Sequence, residues 1–494
     1  MALNTGADAN FDLRNYHLYN AFSFSNSRLD IDFLPVGIHS YINPLIDLPF
    51  YIVYQTYGVF AAHILLIFYF SVFIFITFLF NMRVFDAIKQ QYAPYYLFSF
   101  NFLPVCATLI SISGAAAIGQ AITTMNEIQT ATLVTSSLLF ILPTNDPHRQ
   151  RLLALMLGGY LLGFAVGLKL TAMIYAIGAV FTLFPWRGTL AGIWRWMAFC
   201  LGLGIGAVSS GGYWSWTIYK KFGNPIYPFY DGVFKSPLGD GVNGGDLRFI
   251  PTTMLDYLIY PLHWAFQSGT QASELAVRDP RLLLLLISSI VLISVHFFIR
   301  PIARTLLFLI VFGIASYVVW LLRFSILRYA VVLEVISGTL IVSSIAIIAF
   351  LLGLRRSILY FLSGLLAFVL ISFTDRPNWG RVPFPDAYSL SMEPVPDGSI
   401  VLLVGRPVAF LAALIPGRDI KYVGIDEWTT QPGPRLKVIS EMLSRNDHKL
   451  FALFRLGDDQ IAAIGSLGLT LESRECSPVH IAIDPGGLVF CPIR

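Results

Sequence analysis

Ionisable residues are scarce in this chain, so those that interrupt its apolar sequence are where chemistry should be sought. The first 58 residues carry four carboxylates before Phe33 (Asp8, Asp12, Asp30 and Asp32), with His17, His39 and several Tyr and Asn residues around them. A solvated loop with interfacial aromatics is the plainest reading. Against it, Asp12, Arg14, Tyr16 and Tyr19 fall on one expected interfacial helix, where a carboxylate can take a proton from a hydroxyl that attacks an electrophile. Asp12 and Asp32 are the acids best suited to such work, with Tyr16 and His17 beside them for substrate binding.

Four further sites stand out. Asn126 and Glu127 interrupt apolar sequence at a helix end, where they either cap the helix or serve a function, since an ionisable group near membrane depth is costly. Lys169 sits in the apolar turn GLKLT and either snorkels to headgroups or holds an anion. In the stretch from Gly211 to Pro280, Asp246 with Arg248, and Glu274 with Arg278 and Asp279, read as paired surface charges, Arg248 being also a candidate ligand residue. The segment WLLRFSILRYAVVLE brings Arg323, Arg328, Tyr329 and Glu334 to a helix junction. Five residues apart on one helix, the two arginines would diverge by about 140°. A break near Ser325 would let both converge on phosphate oxygens, which guanidinium forks match bidentately.

The elements that must position these residues are set by composition. With 56% hydrophobic and 13% charged residues and a mean hydropathy of +0.68, the chain lies outside the soluble range, where charged residues make up about a quarter. A net charge of +4 without a basic block argues against nucleic acid as a partner. About ten apolar segments are long enough to cross or enter a bilayer, running approximately over 59–80, 95–118, 130–142, 152–166, 170–184, 196–210, 281–299, 305–322, 329–352 and 357–373. The third to fifth are short, which implies broken or tilted helices inside the bundle, where Gly158, Gly159, Gly163 and Gly167 allow close approach.

Cationic residues set the expected orientation. Arg83 with Lys89, His148 with Arg149 and Arg151, Arg187 with Arg195, Arg300 with Arg304, and Arg355 with Arg356 mark one alternating set of loops as cytoplasmic. The opposite set, outward, holds residues 1–58, 119–129, the Lys169 turn, 211–280, 323–328 and everything after Thr374. No secretory signal is read in the first 30 residues, so the outward amino terminus requires either a preceding span or translocation by the helix at Val59. The resulting division is a first extracytoplasmic loop over 1–58, a transmembrane region over 59–375 and an extracytoplasmic tail over 376–494. From about 394 that tail alternates strand and helix: strands over 399–404, 420–425 and 450–454, helices over 407–414 and 434–444. This predicts a small α/β domain. Cys106 and Cys200 lie in apolar runs, and a disulfide between Cys476 and Cys491 is left open.

In order, FDLRNYHLYNAF, SYINPLIDLP, MNE, GLKLTAMIYA, FGNPIYPFYDGVFKSP with DLRFIP, SELAVRDPRL, FSILRYAVVLE and RPNWGRVP resemble the GT-C class of polyprenyl-phosphate-dependent membrane glycosyltransferases, over most of residues 8–384. The resemblance implies a polytopic helical membrane enzyme of the bacterial inner membrane whose site faces outward. It implies a polyprenyl-phosphate-linked sugar donor and a cell-envelope acceptor, with Asp12 as general base, Glu127 as second carboxylate, and Lys169 and Arg328 on phosphate. Inversion at the anomeric carbon would follow. A divalent cation between Asp12, Glu127 and phosphate is left open by the spacing. Where related sequences often carry Asp after the Asn of the second loop, this chain has Glu127. A transporter, a lipid-linked polysaccharide ligase or polymerase, and a structural scaffold are the competing readings. A transporter would put its polar residues at midmembrane depth with inverted repeats.

Overall fold

The computed structural model describes residues 5–92, 102–143, 152–241, 245–417, 419–444 and 448–494. Among the described residues six helices are long and apolar enough to cross a membrane: α1 (Leu48–Tyr92), α6 (Leu190–Phe222), α7 (Arg281–Phe298), α8 (Arg304–Arg323), α9 (Leu327–Leu351) and α10 (Arg356–Phe373). Four shorter apolar helices complete the bundle: α2 (Phe102–Ile112), α3 (Glu127–Ile141), α4 (Leu152–Leu168) and α5 (Leu170–Leu183). The expected polytopic helical membrane protein is therefore what forms. Large apolar side chains such as Phe68, Phe75, Leu201, Ile205, Phe361 and Phe368 stay exposed on the outer helices, as a lipid-facing surface requires. α9 is buried almost all round and forms the centre of the bundle.

Two helices run further than their apolar cores suggest. α1 starts eleven residues before Val59 and passes a kink at Gly58 (φ +83°), a backbone conformation that favours glycine. α6 continues through a π-helical turn at Val208–Gly212 to Phe222, so the outer loop begins there and not at Gly211. The glycines of α4 do what their spacing predicts. A Cβ at Gly159 would lie 2.1 Å from Phe199 O, and one at Gly163 1.9 Å from Leu203 O, so α4 and α6 touch backbone to backbone. Three of the helix ends beside loops read as cytoplasmic meet: Arg300 stacks on Tyr92 and Phe350, and Gln91 bonds to Pro301 O. The cationic turn at His148, Arg149 and Arg151 and the first part of the 95–118 segment lie outside the described residues.

The tail holds a five-stranded sheet of order β4-β3-β5-β7-β6, with β3 (Ile400–Val404) parallel to β4 (Lys421–Ile425) and β5 (Leu450–Arg455). β6 (Ser477–Val479) and β7 (Leu488–Ile493) add an antiparallel pair, and Cys476 is disulfide-bonded to Cys491. Helices Pro434–Leu443 and Asp458–Ser466 complete the domain. Two strand pairings help fasten the tail to the first loop. β1 (Ala7–Asp8) pairs with β2 (Arg381–Val382), and Phe33 adds a short parallel partner to the β4 edge, its N–H donating to Tyr422 O and its carbonyl accepting from Gly424 N–H. Glycine is needed at 424, because a Cβ there would sit 2.0 Å from Leu34 O.

Candidate active site

The first loop folds into a π-helical turn, Leu13–His17, that runs into the helix Leu18–Ser25. A π turn bonds i to i+5, here Leu18 N–H to Leu13 O, and such turns occur frequently at functional sites. Residues five apart, which an α-helix would separate by about 140°, thereby come to the same side, so Asp12, Tyr16 and His17 share a face. All three are buried. The helix is enclosed by α1 and the tail, where the sequence had suggested one lying at the interface.

Asp12 Oδ2 accepts from Arg328 Nη1 at 2.6 Å and from Tyr16 Oη at 3.1 Å. Burial opposes the Asp12 charge, but Arg328, with His17, His39 and Lys169 behind it, outweighs that and holds the carboxyl at about 2, below its usual 3.8. The same burial raises the Tyr16 hydroxyl, as does Asp12 beside it. A second ion pair lies next to the first. Lys169 Nζ sits 2.5 Å from Glu127 Oε1 and donates to Met125 O, so its ammonium turns inward and does not snorkel. Met125 and Tyr329 join the two pairs: Arg328 donates to Tyr329 Oη at 3.3 Å, Lys169 lies 5.9 Å over the Tyr329 ring, and Arg328 Nη1 reaches Met125 Sδ at 4.0 Å. Among the described residues Glu127 Oε2 and Arg328 Nε are buried without a hydrogen-bond partner. Their side chains border a small cleft lined also by Thr130, Thr171, Tyr175, Tyr329 and Val332.

The chain breaks between α8 and α9 as expected, with Ser325 in the left-handed region (φ +54°). The two arginines nevertheless part: Arg323 stacks over Tyr230 at 5.2 Å, and only Arg328 enters the cleft. Asp32 is likewise apart. It accepts from Arg28 at 2.6 and 2.7 Å, from Tyr19 Oη at 2.6 Å and from Tyr422 N–H at 2.9 Å, a saturated clamp between the first loop and the tail. Arg248 is exposed and paired with Asp246 and Glu274, although Asp246 lies near enough to Arg328 to feel its charge. Asp279 is no surface charge. It is buried, paired with Arg281 at 2.9 Å, and accepts from Ala115 N–H.

Three more residues surround the site: Glu334 and Asn126, which the sequence marked at helix ends, and Asp47, which it did not. Glu334, on α9, accepts from Ala116 and Ala117 N–H at 2.8 Å each and pins the second outer loop; it approaches closely because Gly114 has no Cβ in the way. Asn126 occupies the N-cap position of α3 in the left-handed region (φ +68°) without capping it. Its amide donates instead to Asp47 Oδ1 at 2.5 Å, the same oxygen that lies 2.7 Å from His17 Nδ1. An acid at the mouth of a long apolar helix was the signal that would have found Asp47.

A bridging cation would use Asp12 and Glu127, yet each already faces a cationic side chain. Among the described residues no group of three or more His, Cys, Asp or Glu could hold a metal ion.

No family model and no curated protein matches the chain. Among solved structures it is similar to ArnT from Cupriavidus metallidurans bound to undecaprenyl phosphate, at 12% identity and a TM-score of 0.55 over 99% of this chain and 95% of that one. The apo state of the same protein matches at 12% identity and a TM-score of 0.52 over the same shares. The Archaeoglobus fulgidus oligosaccharyltransferase tethered to an acceptor peptide matches at 13% identity and a TM-score of 0.43 over 91% of this chain and 65% of that one. The chain thus has the fold of the GT-C membrane glycosyltransferases along nearly its whole length.

Proposed function

We propose that this protein transfers a sugar, hexosyl or pentosyl, from a polyprenyl-phosphate donor to an extracytoplasmic glycan, lipid or protein acceptor, with inversion. The observation that carries the reading is the pair of cations, Lys169 and Arg328, joined through Met125 and Tyr329 at one buried cleft in a fold shared with a polyprenyl-phosphate-binding protein. As the C1–O bond to phosphate breaks, the phosphate gains charge, and two cations already held in place favour that change without reorganising. Arg328 Nε, buried and without a partner among the described residues, offers one donor to a phosphate oxygen at once. The rest of the fork becomes available as Asp12 releases it. Asp12 then stands on the acceptor side, where its low proton affinity suits it better to orient a hydroxyl than to keep its proton.

The site would face the outside of a bacterial inner membrane. The arginine-rich loops at the opposite end and the Cys476–Cys491 disulfide in the tail support that orientation. A transporter is disfavoured because the ion pairs collect at one end and α9 crosses the bundle centre unbroken.

The test uses the full chain in proteoliposomes with a panel of polyprenyl-phosphate-linked hexoses and pentoses, and extracted envelope material as acceptor. Release of polyprenyl phosphate is read out. Transfer that is lost in Lys169→Ala and Arg328→Ala is expected. Solute uptake abolished by the same changes, without transfer, would instead establish the transporter. A cysteine beside Asp12 that is labelled only from the cytoplasmic side would overturn the orientation.

A further inference from the structure

We propose that His17, held by Asp47, is the base that takes the acceptor's proton; this rests on the glycosyl-transfer reading above. Three observations carry it. His17 is buried, and its Nδ1 lies 2.7 Å from Asp47 Oδ1. That oxygen also receives the Asn126 amide at 2.5 Å, so Asp47 acts as an acceptor for two donors and fixes the hydrogen on Nδ1. The lone pair is then on Nε2, which is buried with no hydrogen-bond partner among the described residues.

A histidine oriented by a carboxylate on one nitrogen and free on the other is the arrangement that general-base catalysis requires. Its cost is visible in the backbone. Asn126 adopts the left-handed region and forgoes capping its own helix in order to reach Asp47, and the π turn brings His17 to the face that Asp12 occupies. Asp12 by contrast is committed to Arg328 and Tyr16. Two carboxylates with different partners thus take different roles: Asp12 orients the acceptor beside the donor phosphate, and Asp47 neutralises the charge His17 gains.

The step balances. The acceptor hydroxyl oxygen forms a bond to the anomeric carbon while the bond from that carbon to the phosphate oxygen breaks. The hydroxyl proton passes to His17 Nε2, and the electron pair leaves on polyprenyl phosphate beside Lys169 and Arg328. The groups facing His17 are Asp12 and Tyr16 on its own helix, Asp47 at the start of α1, Asn126 at the start of α3, and His39, stacked on Tyr16 at 5.0 Å; Arg328, Glu127 and Lys169 lie beyond.

In the proteoliposome assay, with whichever donor of the panel the wild type consumes, His17→Gln and His17→Asn should lower kcat by about 10²–10⁴-fold and leave the donor KM within threefold. Added imidazole should restore turnover to His17→Ala, which a merely structural role would not allow. Asp47→Asn should lose less than His17→Gln. Turnover of His17→Gln within threefold of wild type, or an inactive His17→Ala with raised donor KM and no rescue by imidazole, overturns the base assignment while leaving glycosyl transfer intact. A wild-type protein that consumes no donor overturns both.

Discussion

Replacing Arg328 with alanine isolates what the Asp12 pair contributes. Both partners are largely enclosed, with side-chain exposures of 15% and 12%, so solvent screens their attraction only weakly. Lowering the Asp12 carboxyl from 3.8 to about 2 corresponds to about 2–3 kcal/mol of charge stabilisation. Removing one member of a buried pair typically costs about 3–5 kcal/mol, because the other charge is left uncompensated. Arg328→Ala should therefore lose about 3 kcal/mol at pH 7. The dependence on pH gives a sharper result. In the wild type Asp12 stabilises the fold above pH 3.8, and that contribution is lost as pH falls towards 2. Burial, helped by Arg406 and Arg328, lowers His39 from 6.5 to about 4, so its contribution is present above 6.5 and lost as pH falls through 4. Without Arg328, burial dominates and raises the Asp12 carboxyl above 3.8. The acid then destabilises the fold at pH 7 and is relieved by protonation, so the stability gap to wild type should narrow between pH 7 and 4. Thermal unfolding in detergent across that range measures it, with Asp12→Asn/Arg328→Ala as the control that should recover part of the loss. Parallel curves for wild type and Arg328→Ala, or a double variant no more stable than the single one, would refute the reasoning.

Other consequences follow from the same contacts. Lys169→Met should raise the donor KM at least tenfold and destabilise the protein by leaving Glu127 buried and unpaired; Lys169→Met/Glu127→Gln should recover stability but not activity, read by unfolding and donor release. Asp32→Ala should release the β4 edge from the first loop, seen as faster hydrogen exchange over residues 421–425 and a loss of about 3–5 kcal/mol in tail stability; unchanged protection would refute the clamp. Gly163→Leu should force α4 from α6 and lower stability by about 1–3 kcal/mol, whereas Gly204→Leu on α6, with open space at its Cβ, should be nearly neutral.

Much of the architecture was legible in the chain because membrane helices are written locally. Twenty apolar residues must satisfy their backbone bonds within the segment, so the ten helices, the α4 glycines and the tail's parallel strands could be read one stretch at a time. Helix ends could not: α1 and α6 continue beyond their apolar cores because the loop helix and outer loop pack on the extensions. Within the site, residue type identified Asp12, Tyr16, His17, Glu127, Lys169, Arg328 and Tyr329, since each is an expensive group at a helix end. It could not say which would meet. Arg323 and Arg328 looked alike until the break at Ser325 sent one to Tyr230 and the other to Asp12. Asp32 looked as catalytic as Asp12 until the tail closed over it, an association spanning 390 positions.

The sequence by itself determined that this is a helical membrane protein with its costly charges in alternate loops, because burial of apolar segments and retention of cations are properties of each segment alone. Only the tertiary structure decided which charge neutralises which and which nitrogen of His17 is left without a partner among the described residues. Those outcomes depend on side chains brought together from four distant elements, and on a single π turn that changes which residues share a face.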